Sequence, residues 1–218
     1  MIPELGHFCL VVALCLAAAQ SFFGLAGSTE RRPSWIAVTR PVAYGHFVFV
    51  ALAFGFLTHA MIVNDFSVAY VANHSNTELP LIYRISAVWG AHEGSLLLWG
   101  LILAIWTIAV CALSRNLPAN MAARVIGVLG LVSIGFLLFT LATSNPFDRL
   151  IPAAIEGRDL NPLLQDPALA IHPPMLYFGY VGFAVAFAFA VAAMLEGRLD
   201  SAWARWTRPW TTAAWVFL

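Results

Sequence analysis

Charge is scarce in this 218-residue chain, at 10% of residues, and lysine is missing altogether, so all eleven basic residues are arginine. The net charge is zero. With no basic excess and no basic face, the chain has no electrostatic basis for a nucleic-acid partner. Cysteine is nearly missing as well. Cys9, Cys15 and Cys111 each lie inside an apolar run, and neither C-x-x-C nor C-x-x-C-H occurs. That excludes a thiol-redox motif, a cysteine zinc site and a covalent haem attached to this chain itself. There is no phosphate-binding glycine loop, no nucleophile–base constellation with supporting context, no internal repeat and no low-complexity tract.

Apolar residues are abundant, at 61%. They gather in runs close to the ~20 residues that cross a bilayer: Leu5–Gly27, Val42–Val63, His92–Leu113, Val125–Thr143 and Met175–Leu195. A sixth run opens at Trp210 and covers only about half a span before Leu218. The expected fold is all-α. It is a polytopic transmembrane helical bundle with five complete spans and the start of a sixth, its outer loops carrying the site. Ala17-Ala18-Ala19 resembles a leader cleavage site, but no basic segment precedes the first run and apolar residues continue beyond it. The run is therefore read as a retained helix. From the short sixth run, a fragment or one piece of a split protein is expected.

Arginine placement predicts the orientation. The loops after runs one, three and five hold Arg31, Arg32, Arg40, Arg115, Arg124, Arg198, Arg205 and Arg208. The loops after runs two and four hold only Arg84, Arg149 and Arg158, together with most of the acids. The first set is expected to face the cytoplasm; the N-terminus and the loops 65–91 and 144–174 are expected to face outward. The second outer loop contains seven prolines and glycines, including Pro162, Pro167, Pro173 and Pro174. Each proline fixes φ and removes a donor, so a shaped loop is expected there.

Two stretches could carry chemistry. In Trp89–Trp99, read as a helix at ~100° per residue, His92, Trp99 and Trp106 fall on one stripe, drifting about 20° per heptad. Trp89 and Glu93 fall on a neighbouring stripe. An interfacial aromatic belt explains this arrangement, and so does a site for a large flat cofactor or lipid-like substrate, because charges at a membrane boundary tend to serve function. In Ile171–Tyr180, His172 stands just before the fifth run, with Pro173 and Pro174 stiffening the backbone behind it. An oriented imidazole suits axial ligation of haem iron; a plain interfacial histidine is the simpler reading. His46 and His59 are thirteen residues apart, about 220° around a helix, which does not suit a shared haem.

The segments Val63–Ala72, Trp89–Trp99, Gly157–Asp166 and Ile171–Tyr177 resemble, in order, motifs of the CcmF family of haem-lyase membrane proteins. The resemblance covers essentially residues 1–218, read as the N-terminal portion, with the characteristic haem-handling segment from about residue 89. It implies a component of a haem lyase that receives haem from the chaperone CcmE and positions it for thioether attachment to apocytochrome c, presented with CcmH and CcmI. The implied haem is b-type and transiently bound, and the implied location is the bacterial inner membrane, with the site on the periplasmic side. His172 matches the family's external axial ligand. Pro173, Pro174, Tyr177, Trp89, His92, Glu93 and Trp99 make up the remaining cofactor-binding candidates. In this family the tryptophan-rich platform, the second external histidine and an intramembrane histidine pair lie further along. Two rivals stand beside this reading: a b-type haem or quinone electron carrier using His46 or His59, and a transporter or channel subunit using Glu93.

Overall fold

Apolar composition decides where the chain crosses the membrane, and prolines and polar residues decide where the helices begin. The computed structural model describes residues 1–197 and 201–218; Arg198, one of the arginines of the orientation count, lies outside the described residues. The α-helices are α1 Ile2–Thr29, α2 Pro33–Ile62, α3 Ala69–His74, α4 Leu81–Ser86, α5 His92–Leu113, α6 Ala119–Thr143, α7 Pro167–Glu196 and α8 Ser201–Val216. No strand occurs among the described residues. Helices α1, α2, α5, α6 and α7 have the length and hydropathy to cross a bilayer, so the all-α, five-span architecture stands.

Helix starts are the main departure from expectation. The second span begins at Pro33, not Val42, and takes in Arg40 and Pro41. The last helix begins at Ser201, so Arg205, Arg208 and Pro209 are helical rather than loop. Most consequentially, α7 begins at Pro167. His172, Pro173 and Pro174 therefore lie inside a helix, and the loop before it ends at Asp166. The cause is local: the Asp166 carboxylate accepts from the backbone N–H groups of Ala168 and Leu169, at 2.8 and 3.1 Å. Pro167 supplies a pre-set φ at the first helical position. At the far end of α7, Gly197 adopts φ 69°, the left-handed cap that glycine takes without steric cost.

Small residues let the first spans approach closely, as membrane helices often do. A β-carbon on Gly24 of α1 would lie 2.5 Å from the Ala123 carbonyl and 2.8 Å from the Gly127 Cα of α6. At the same interface Gln20 donates to the Ile126 carbonyl at 2.8 Å. Helix α8 runs antiparallel to α7, with Trp203 Nε1 donating to the Phe189 carbonyl at 3.2 Å and Phe217 packed on Phe178 at 5.4 Å. On α2, His46 is buried while His59 is exposed, in keeping with their lying on different faces of the helix.

The bundle has two unlike ends. At one, the start of α1 meets the loops after α2 and α6 through Arg149. At the other, Arg124 of α6 pairs with Glu196 of α7 at 3.3 Å. The loops that arginine count separates thus sit at opposite ends of the bundle.

Candidate functional site

The site rests on two loops, 63–80 and 144–166, which fold onto each other. Ala69 N–H donates to the Asp148 carbonyl and Leu150 N–H to the Ser67 carbonyl, both at 2.8 Å. Arg158 N–H donates to the Ala72 carbonyl at 2.7 Å. Thr77 donates to Glu156 from its backbone at 3.1 Å and its hydroxyl at 2.8 Å. The hydroxyl bond, then the Gly157 N–H, hold the Glu156 carboxyl below its usual range. Arg149 ties this clasp to α1, with Glu4 at 3.1 Å and Asp65 at 3.6 Å. Arg84 donates to three backbone carbonyls, of Leu79, Thr77 and Ile62. These bonds satisfy loop polar groups that no helical ladder serves.

Tyr70, buried on α3, sets the entry to α5. Its hydroxyl lies 3.1 and 3.0 Å from the Ala87 and Val88 carbonyls and accepts from Ala91 N–H at 3.2 Å. Burial drives the phenol well above its normal pKa, so it stays neutral and able to donate. Tyr70→Phe removes the hydroxyl and leaves these groups without it. The expected cost is about 1–3 kcal/mol, seen as a lower melting temperature for the purified chain; an unchanged melt would refute this role.

The Trp89–Trp99 stretch divides in the structure. Trp89 ends a 3-10 turn, Ala87–Trp89, while α5 starts only at His92, after Ala91 at φ −141° and ψ 177°. Trp89 and Glu93 therefore do not share a helical stripe, because no helix runs through Gly90 and Ala91. Ser95 closes the turn by donating to the Trp89 carbonyl at 2.8 Å. The Trp89 indole N–H then donates to the Ala170 carbonyl of α7 at 2.9 Å. That carbonyl is the one Pro174 leaves open, since proline has no N–H to return to the residue four before it. Neighbouring side chains take up such freed groups in membrane helices.

The remaining candidates separate by face. His92 Nδ1 lies 3.2 Å from Ser144 Oγ, and its ring meets the edge of Phe139 at 5.9 Å. Trp99 is packed between Phe136 and Tyr177, each at 5.4 Å. Trp106 donates to the Phe178 carbonyl at 3.1 Å. The His92–Trp99–Trp106 stripe is real, but its drift carries it from α6 across to α7, and aromatic side chains cover it. Glu93 is half-buried, and among the described residues it has no hydrogen bond or ion pair. Its negative charge adds to the upward push on the Tyr70 phenol.

Trp89, Pro174 and Met175 line an apolar cleft of about 360 Å³ between α4 and α7, with Ile82 and Tyr83 opposite. His172 does not line it. The imidazole is exposed on the second turn of α7, and among the described residues it has no hydrogen-bond or ion-pair partner. Tyr177 donates to Ser95 Oγ at 3.5 Å, so it belongs to the α5–α7 seam. Tyr70, Arg84, Ser95, Ser144 and Arg149 were not singled out from the sequence for any chemistry. Tyr70 and Ser95 fall within quoted motifs, but only their partners, distant in sequence, reveal what they do.

Residues 89–218 match the sequence model of a family described as Cytochrome C assembly protein. The chain belongs to that family. Among curated relatives it is 62% identical to the cytochrome c-type biogenesis protein CcmF of Pseudomonas aeruginosa and 56% identical to that of Escherichia coli, over all of this chain and 33% and 34% of theirs. A solved structure titled cytochrome c haem lyase CcmF aligns over the whole chain and 34% of its own, with a TM-score of 0.85 and 29% identity. The chain spans about a third of the length of these relatives.

Proposed function

We propose that this cytochrome c assembly protein forms part of a haem lyase, with His172 as an axial ligand that holds haem for attachment to apocytochrome c. The observation that carries this is an exposed imidazole, free of partners among the described residues, on a helix tethered through Trp89. An imidazole engaged by a carboxylate or carbonyl would have to give that bond up to reach iron; this one has none to give up. Leu169, Ile171 and Met175, its exposed sequence neighbours, offer the apolar surroundings that suit a flat macrocycle. The residues present therefore fit haem. When bound, haem supplies the vinyl groups that become thioethers. The protein's contribution is orientation and control of the iron's ligands. His172 supplies the ligand, and Trp89 fixes the turns of α7 that carry it. Pro173 and Pro174 restrict the backbone behind it. Trp99 and Tyr177 brace α5 against α7, and His92 and Glu93 line the approach from α5.

The haem in this reading is b-type and transiently held. CcmE delivers it, CcmH and CcmI present the apocytochrome, and the clasped loops face the periplasm from the inner membrane. A spectrum tests the ligand directly. The chain purified from haem-replete cells, or titrated with haemin in detergent, is expected to show a Soret band. His172→Ala is expected to lose most of it at equal protein, and His172→Met to shift it. An unchanged band in His172→Ala would overturn the assignment; loss of the band in His46→Ala alone would favour an electron-carrier reading.

A further inference from the structure

At the end of the bundle away from the clasped loops, a second cleft, of about 310 Å³, opens between the first turns of α2 and α6. Ile36 and Arg40 line it from α2, Arg115 and Leu117 from the α5–α6 turn, and Ala119 and Ile126 from α6. Its charge is unbalanced. Glu30 is taken by Arg32 at 2.6 Å and Glu196 by Arg124 at 3.3 Å. Neither Arg40 nor Arg115 has a carboxylate partner among the described residues. Arg40 is half-buried, and its guanidinium has one long bond, 3.5 Å to the Ser114 carbonyl. A guanidinium carries five N–H donors, so most of this one's hydrogen-bonding capacity is unmet at a site only partly open to water. The first turn of α6 adds to the positive field: Pro118 precedes it without a side-chain cap, and it contains no acid.

We infer that this cleft binds the phosphodiester head group of an anionic phospholipid. Two arginines supply forked donors for phosphate oxygens. The apolar wall formed by Ile36, Ala37 and Leu117, none of them buried, separates a lipid from a free anion. All three sit on or beside membrane-spanning helices, where an acyl chain would run. A soluble phosphate would have no use for that wall. Basic recesses between spans are a recurring way of holding lipid head groups.

Native mass spectrometry of the full chain in a neutral detergent, with phosphatidylglycerol or phosphatidylcholine added, tests this. Phosphatidylglycerol is expected to be retained in preference. Arg115→Gln should weaken its retention roughly fivefold, and adding Arg40→Gln should do so about as much again. Ala119→Trp keeps both charges but fills the cleft, and should also lower retention. Arg115 and Ala119 are exposed, so these two variants decide the matter even if Arg40→Gln fails to fold. Equal retention of the two lipids would overturn the proposal, as would full retention by Arg115→Gln or by Ala119→Trp. Displacement of phosphatidylglycerol by millimolar inorganic phosphate would mark the cleft as a soluble-anion site and overturn the lipid assignment.

Discussion

His172→Ala is expected to abolish holocytochrome c in cells that depend on this protein, while leaving its membrane level intact. The two halves of that expectation come from the same observation. His172 is exposed and has no partner among the described residues, so its removal opens no cavity and orphans no donor. Surface changes of that kind usually alter stability by less than about 0.5 kcal/mol. In the proposed role His172 ligates iron, and loss of a metal ligand is another matter, since even the groups that merely support ligands cost about 10–100-fold when removed. Haem-stained cytochrome c should therefore fall by at least roughly tenfold at unchanged immunoblot signal. His172→Gly with added imidazole should recover part of the output, because the exposed position is open to a small ligand. A fall in protein level equal to the fall in cytochrome would turn the reading into one about folding.

Gly94→Ala should be the most damaging single methyl in the chain's signature stretch. A β-carbon there would lie 1.7 Å from the Val88 carbonyl and 2.6 Å from the Tyr70 hydroxyl. Both neighbours are fixed, the carbonyl by the turn before α5 and the hydroxyl by its three backbone contacts. Relief requires moving α5 off that turn, which combines overpacking at about 1–3 kcal/mol with loss of the buried Tyr70 bonds at about 1–3 kcal/mol. The expected outcome is a large fall in melting temperature and in membrane abundance. Gly100→Ala is the control on the same helix. Nothing lies within 4 Å of its β-carbon position, and alanine is favoured over glycine inside a helix by roughly 0.5–1 kcal/mol. If both variants behaved alike, the close approach at Gly94 would not be what makes it matter.

The spans were legible in the sequence because crossing a bilayer is a demand on composition, and hydropathy reads composition directly. Helix starts were less legible because the opening turns of α2, α7 and α8 carry polar residues and prolines that resemble loop. Asp166-Pro167 was nonetheless a readable signal, an acceptor before a proline, outweighed by the five other prolines of that loop. The heptad stripe of His92, Trp99 and Trp106 was geometry the sequence could supply. Which helix would cover each ring was not, since Phe139, Phe136 and the Phe178 carbonyl come from other segments. Arg149 and Arg84 show the same limit. An arginine in an outer loop reads as a topology marker, and only the fold reveals it as a fastener between residues as distant as Glu4 and Asp65.

The indole of Trp89 sits in the place of a missing amide. Helix α7 runs unbroken from Pro167 to Glu196, and its far end is held by Arg124 and Glu196. Near its start, Pro173 and Pro174 each remove a backbone hydrogen bond, and one of the two freed carbonyls, that of Ala170, is held from outside by the turn that leads into α5. The direction in which His172 points is thus a property of how α5 enters the membrane, and any force that tilts the start of α5 would steer the imidazole with it.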